Sequence, residues 1–132
     1  MTVSWGAVGE LWGMDMATVY IRPQRYTEQF LDSNDYFTVS FYPDELKQQI
    51  HSVCGSKSGR DTNKAKEAKI TPVFDEAAPY FEEAKLVLVC KKTAKGKFAP
   101  DQFIDKEKTE KWYDGDYHNI YYGAIEKVLI KK

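Results

Sequence analysis

The stretch Ala17-Thr18-Val19-Tyr20-Ile21-Arg22-Pro23-Gln24-Arg25-Tyr26-Thr27 changes character at its middle. Its first half carries Val19, Tyr20 and Ile21, whose β-branched and aromatic side chains suit a pleated surface. Pro23 ends that strand, because proline lacks the N–H a sheet ladder needs and biases Arg22 toward an extended backbone. Thr27 then has the chemistry of a helix N-cap, with Glu28 in the first turn and Phe30 and Leu31 on an apolar side. Arg22, Arg25, Tyr26 and Thr27 therefore lie where extended chain becomes helix. Two guanidinium groups and two hydroxyls beside the open N–H groups of a helix start form a recipe for holding a phosphate. The same arginines also read as solvated surface charges with acidic neighbours.

On either side of this stretch the chain reads mostly as strand. Thr2 to Gly9 alternates as a strand whose glycines suggest close backbone approach, and Trp12 to Met16 reads as a turn. Tyr36 to Tyr42 is the densest run of β-formers. Leu86 to Cys90 lacks alternation, as expected of a strand buried on both faces. Thr93 to Pro100 continues it past a turn at Gly96. Asn119 to Ile130 closes the chain as a strand with a kink or bulge expected at Gly123. Helices are few and short. One starts at Pro43-Asp44-Glu45 and ends at Gly55, with Leu46, Ile50 and Val53 toward the core. Others are expected at Lys64 to Ala68 and, with mostly exposed charges, at Asp105 to Trp112. Ile70 to Phe74 is a linker and Tyr80-Phe81 a short strand. The pattern predicts a mainly β protein, a small barrel with short helical inserts, in one domain over residues 1–132. Its edges must close on one another or pair with a second subunit.

Composition narrows the partners. With 19 basic and 20 acidic residues the net charge is -1, so no basic field exists to hold nucleic acid. No apolar run approaches membrane-spanning length and no signal-peptide pattern opens the sequence, which predicts a cytoplasmic protein. Cys54 and Cys90 are too few for a disulfide framework and have no paired metal-ligand spacing. Nine Tyr, seven Phe and three Trp favour strands and also suit stacking on a flat ligand.

In order and spacing, several segments together resemble the flavin reductase-like proteins. They are Thr2-Val3-Ser4-Trp5-Gly6, Ala17 to Thr27, Tyr36 to Phe41, Cys54-Gly55-Ser56-Lys57-Ser58-Gly59-Arg60-Asp61, Ala84 to Cys90, and Asp116-Tyr117-His118 followed by Gly123. The resemblance covers nearly the whole chain. It implies a Greek-key-like split β-barrel that binds FMN, usually as a homodimer, and that passes hydride from NAD(P)H to flavin. It implies a phosphate grip at Arg22, Arg25, Tyr26 and Thr27. Thr2, Ser4 and Trp5 would face the isoalloxazine ring. Lys57, Ser58, Gly59, Arg60 and Lys64 would form a donor loop near the phosphate and ribityl chain, and His118 would approach the flavin or nicotinamide. The family pattern also has a segment ahead of the strand that opens this sequence, contributing a barrel strand and cover over the site.

Each of these residues has a plainer role open to it. His118 reads equally as a hydrogen-bonded structural histidine. Trp5 can stack on a ring or fill the barrel. Cys54 is a reactive thiol or a buried helix-end residue, Cys90 a core residue, and Lys57 to Arg60 a donor loop or a solvated turn. No catalytic dyad or triad is present, which suits chemistry carried by a flavin. Two functions follow from the resemblance: an NAD(P)H-dependent flavin reductase, or a non-enzymatic FMN-binding electron carrier or flavin store.

Overall fold

The computed structural model describes all residues 1–132. Five strands form one antiparallel sheet: β1 Gly6–Leu11, β2 Met14–Ile21, β3 Tyr36–Phe41, β6 Leu86–Lys97 and β7 Asn119–Ile130. Their order across the sheet is β1-β2-β7-β6-β3, so β7, the last strand in sequence, sits at the centre. A two-stranded ribbon, β4 Pro72–Val73 with β5 Tyr80–Phe81, stands beside it. The helices are α1 Tyr26–Ser33, α2 Asp44–Cys54, α3 Lys64–Glu67 and α4 Lys106–Thr109. None is long and apolar enough to cross a membrane.

The mainly antiparallel architecture with short helices is the one the sequence predicts; several boundaries differ, each for a local reason. Thr2 to Ser4 are not strand, and β1 begins only at Gly6, where a Cβ would lie 2.8 Å from the Thr18 carbonyl oxygen of β2. The turn expected over Trp12 to Met16 shrinks to Trp12-Gly13, both at positive φ (55° and 70°). Such a two-residue turn twists with the strands it joins, so pairing resumes at once between Leu11 and Met14. Thr27 is not an N-cap: α1 opens one residue earlier, Arg25 is the extended residue before it, and no side chain caps it. No turn occurs at Gly96, because β6 runs on to Lys97 paired to β7, with Gly96 opposite Ile120.

Gly123 is not a bulge. The two register shifts between β6 and β7 leave Glu126 and Thr93 as the extra residues. Gly123 is small for another reason. A Cβ there would come within 2.5 Å of the Phe37 ring and 2.8 Å of the Cys90 Cβ. Absence of a side chain lets β7 press onto the core at that point.

The strand Leu86 to Cys90 is buried on both faces, as its unbroken apolar run predicts. Leu88 and Cys90 join Val19, Ile21, Leu31, Phe37 and Tyr121 in the main core, while Val87 and Val89 pack with Ala84 on the opposite face. Cys90 is fully buried, which pushes its thiol up to about 12. Ile50 of α2 packs with Ala68 and Ile70 in a third cluster.

An eight-residue helix is too short to persist alone, so α1 depends on what it is fastened to. Leu31 supplies the apolar anchor. Its acids supply the rest. Glu28 Oε1 accepts from Asn119 Nδ2 at 2.9 Å and from the Tyr121 hydroxyl at 3.3 Å. Asp32 Oδ1 accepts from the same hydroxyl at 2.8 Å and from Lys95 Nζ at 2.7 Å. Desolvation and these two carboxylates raise the fully buried Tyr121 phenol well above its ordinary value, keeping it protonated as the donor.

Candidate functional site

β2 delivers Arg22 to the rim of the sheet, and Pro23 turns the chain into α1. The two arginines of this junction then meet different fates. Arg22 Nη1 donates to Asp116 Oδ2 at 2.5 Å, and Nη2 donates to the Trp112 carbonyl at 2.8 Å. Gln24 Nε2 donates to the same Asp116 oxygen at 2.9 Å. The Asp114 N–H, then Gln24 and Arg22, hold the Asp116 carboxyl well below the usual carboxylate range. Arg22 thus ties β2 to the segment leading into β7. Arg25 is exposed and forms no ion pair.

The loop after α2 comes to the same junction. Gly59 lies against the Tyr26 ring, where a Cβ would sit 3.1 Å from Cδ2, and the Arg60 guanidinium stacks over that ring at 4.8 Å. Arg60, like Arg25, has no carboxylate partner. The other cations of the loop are already engaged. Lys57 Nζ pairs with Glu67 at 2.6 Å, and Lys64 Nζ donates to the Cys54 carbonyl at 3.1 Å. The Ser58 hydroxyl accepts from the Arg60 N–H at 3.2 Å. The half-buried Thr2 lies over Gly55 at the end of α2, its Oγ1 3.1 Å from where a glycine Cβ would be. The N-terminal segment, the 54–64 loop and the start of α1 are therefore neighbours. Thr27 is half-buried in the first turn of α1 and Ser4 is exposed.

An aromatic cluster occupies the other flank. Trp5 packs on His118 with ring centroids 4.9 Å apart and meets Trp112 edge to face at 5.3 Å. His118 is buried, and its Nδ1 is bonded to the Tyr113 hydroxyl at 2.8 Å. Burial, then the positive charge of Arg22, holds His118 below the ordinary imidazole value; Asp116 acts the other way, and Arg25 adds to the lowering. A neutral imidazole with one nitrogen engaged leaves Nε2 as its second hydrogen-bonding atom.

Tyr113, Trp112 and Asp116 were not legible as site residues. Their roles depend on Arg22, about ninety positions away in sequence. The available signal was the density of aromatics around Asp114-Gly115, a turn in which Gly115 has φ +75°.

The junction is thus a rim where strand turns into helix, with guanidinium groups free of carboxylates on one flank and packed aromatics on the other, in a mainly antiparallel β protein. The sequence matches the flavin reductase like domain over residues 1–132, and the chain belongs to that family. No curated protein matches it. Among solved structures it is similar to an FMN-binding protein from Thermus thermophilus, at 22% identity and a TM-score of 0.74, covering 98% of this chain and 62% of that one. It is similar to the flavoredoxin of Methanosarcina acetivorans at 19% identity and TM-score 0.75, covering 98% and 60%. A putative flavin reductase with split barrel domain from Shewanella frigidimarina gives 17% identity and TM-score 0.76, covering 98% and 58%. The fold is that of these split-barrel proteins. The chain spans about 60% of their length.

Proposed function

We propose that this chain is an FMN-binding oxidoreductase of the NAD(P)H-dependent flavin reductase type, acting in the cytoplasm as a homodimer. The single observation that carries the reading is that Arg25, just ahead of Tyr26 at an uncapped helix start, and Arg60, stacked on the Tyr26 ring, are guanidinium groups without carboxylate partners. Both side chains are exposed and carry no carboxylate, so their guanidinium groups are free to meet an incoming phosphate beside the helix start. FMN, when bound, supplies the hydride-accepting ring. Arg25, Arg60 and the opening N–H groups of α1 hold its phosphate, and Tyr26 sets the position of Arg60. Ser58 and Gly59 bring the loop backbone close, while Lys57 and Lys64 fix that loop through Glu67 and the Cys54 carbonyl. Arg22 positions the Asp116 turn rather than gripping the phosphate. Thr2, Ser4 and Trp5 face the ring, and His118, kept neutral, offers Nε2 toward it.

Two flavoredoxins among the similar structures, from Methanosarcina acetivorans and Desulfovibrio vulgaris, favour an electron carrier as the second reading. One experiment separates the two. Purified protein is loaded with FMN and mixed anaerobically with NADH or NADPH while the flavin absorbance is followed. A reductase bleaches the flavin and turns over added free FMN. A carrier stays yellow with nicotinamide and bleaches only with a chemical reductant. Protein that takes up no FMN sinks both readings.

A further inference from the structure

We propose that the aromatic cleft beside Trp5 binds a small planar aromatic carboxylate, a single ring carrying one acid group. The cleft is an open groove of about 250 Å³. The cleft is open to solvent and smaller than the roughly 300 to 1,000 Å³ usual for ligand pockets, a size that suits a guest of one ring. Its walls are flat. Tyr20 and Phe98 are stacked at 5.6 Å with 14° between their planes, and Phe103 continues the stack against Tyr113 at 5.8 Å and 29°. Trp5 and Trp112, edge to face, form the remaining wall. Ring faces and edges presented together hold an aromatic guest better than an alkyl one.

The polar groups of the cleft decide the charge of that guest. The Tyr113 hydroxyl is engaged by His118, and the Thr109 hydroxyl donates to the Asp105 carbonyl. The Lys108 ammonium remains. Its pairing with Asp105 is long, 3.4 Å, with both side chains more than half exposed, and such pairs exchange readily. Lys111 Nζ, 5.8 Å from the centre of the Trp112 ring, adds positive charge to the same rim. An anionic substituent on the ring is the match. The inference does not rest on flavin binding, because Arg25, Tyr26 and Arg60 line none of this cleft; Trp5 alone is shared with the flavin reading.

The test uses the ¹⁵N-labelled full chain without added flavin, with benzoate and benzamide as probes. The three tryptophan indole N–H signals are assigned with single Trp→Phe variants. Benzoate is expected to shift the Trp5 and Trp112 signals and leave Trp12, which packs on Tyr122 instead, in place. A dissociation constant of about 1 mM is expected for a ligand of this size. Benzamide should bind about threefold more weakly, the contribution of one exposed charge pair. K108M should erase that difference while leaving benzamide affinity unchanged. The proposal is overturned by an absence of indole shifts well above millimolar benzoate, by equal movement of Trp12, by benzamide matching benzoate in the unmodified chain, or by K108M retaining the preference. Because no flavin is present, none of these outcomes depends on whether the chain binds FMN.

Discussion

On the α1 side of the β2 rim, Arg25 and Arg60 face solvent without a carboxylate. On the Asp116 side, Arg22 is held by a carboxylate and a carbonyl, and His118 by a phenol. Arg22 and Arg25 stand three residues apart in one stretch, yet Arg22 is paired with a carboxylate while Arg25, like Arg60, is not. The difference teaches that a cation's use is decided by its partners in space. The satisfied side fixes the shape of the rim; the unsatisfied side retains the electrostatic capacity to bind an anion.

The sharpest way to break this comparison is Arg25→Ala. FMN affinity should fall about 10- to 100-fold, the contribution of a charge-assisted hydrogen bond, with riboflavin affinity unchanged. Equal losses for both ligands in a fluorescence titration would show that Arg25 does not address the phosphate. Arg22→Ala should do the reverse. It should lower the urea midpoint of unfolding, since it removes the tie between β2 and the Trp112–Asp116 segment, and weaken FMN and riboflavin alike. A selective loss of FMN binding would move Arg22 to the ligand side.

Next in size is an acid effect confined to the satisfied side. His118 titrates below its ordinary value in the folded chain, so the unfolded chain binds more protons around pH 6.5. Its contribution to stability is therefore complete above pH 6.5 and declines as the pH falls through and below that value. Asp116, also lowered, adds a second decline as the pH drops through the usual carboxylate range. Urea midpoints measured from pH 7.5 down to about 2 should fall in these two stages, and His118→Gln should remove the first. A flat profile above pH 5 would contradict a buried neutral imidazole. The smallest effect belongs to Lys57→Met. Its pair with Glu67 is exposed, so stability should change by less than about 0.5 kcal/mol, as thermal unfolding can measure.

Much of the architecture could be read from side-chain type alone. Leu86 to Cys90 announces two-sided burial because every residue is apolar, and Tyr36 to Phe41 announces a strand because β-formers dominate. What escaped is whatever tertiary pairing decides. Lys95-Gly96-Lys97 has the look of a turn, but hydrogen bonding to β7 keeps it extended. Gly123 has the look of a bulge, but the Phe37 ring explains it. In the site, the Ala17 to Thr27 stretch was legible as a junction of strand and helix. Which of its arginines is engaged was not, because Asp116 arrives from the far end of the chain.

The acid clasp on α1 bears on how a ligand meets this rim. Glu28 and Asp32 tether the helix to Asn119, Tyr121 and Lys95, all on the two longest strands. The amide dipoles at the Tyr26 end are thereby aimed before any guest arrives, and docking there forfeits little conformational entropy. On the proposed reading, the helix start that would meet the phosphate is held in place from Glu28 and Asp32, through the buried Tyr121 phenol.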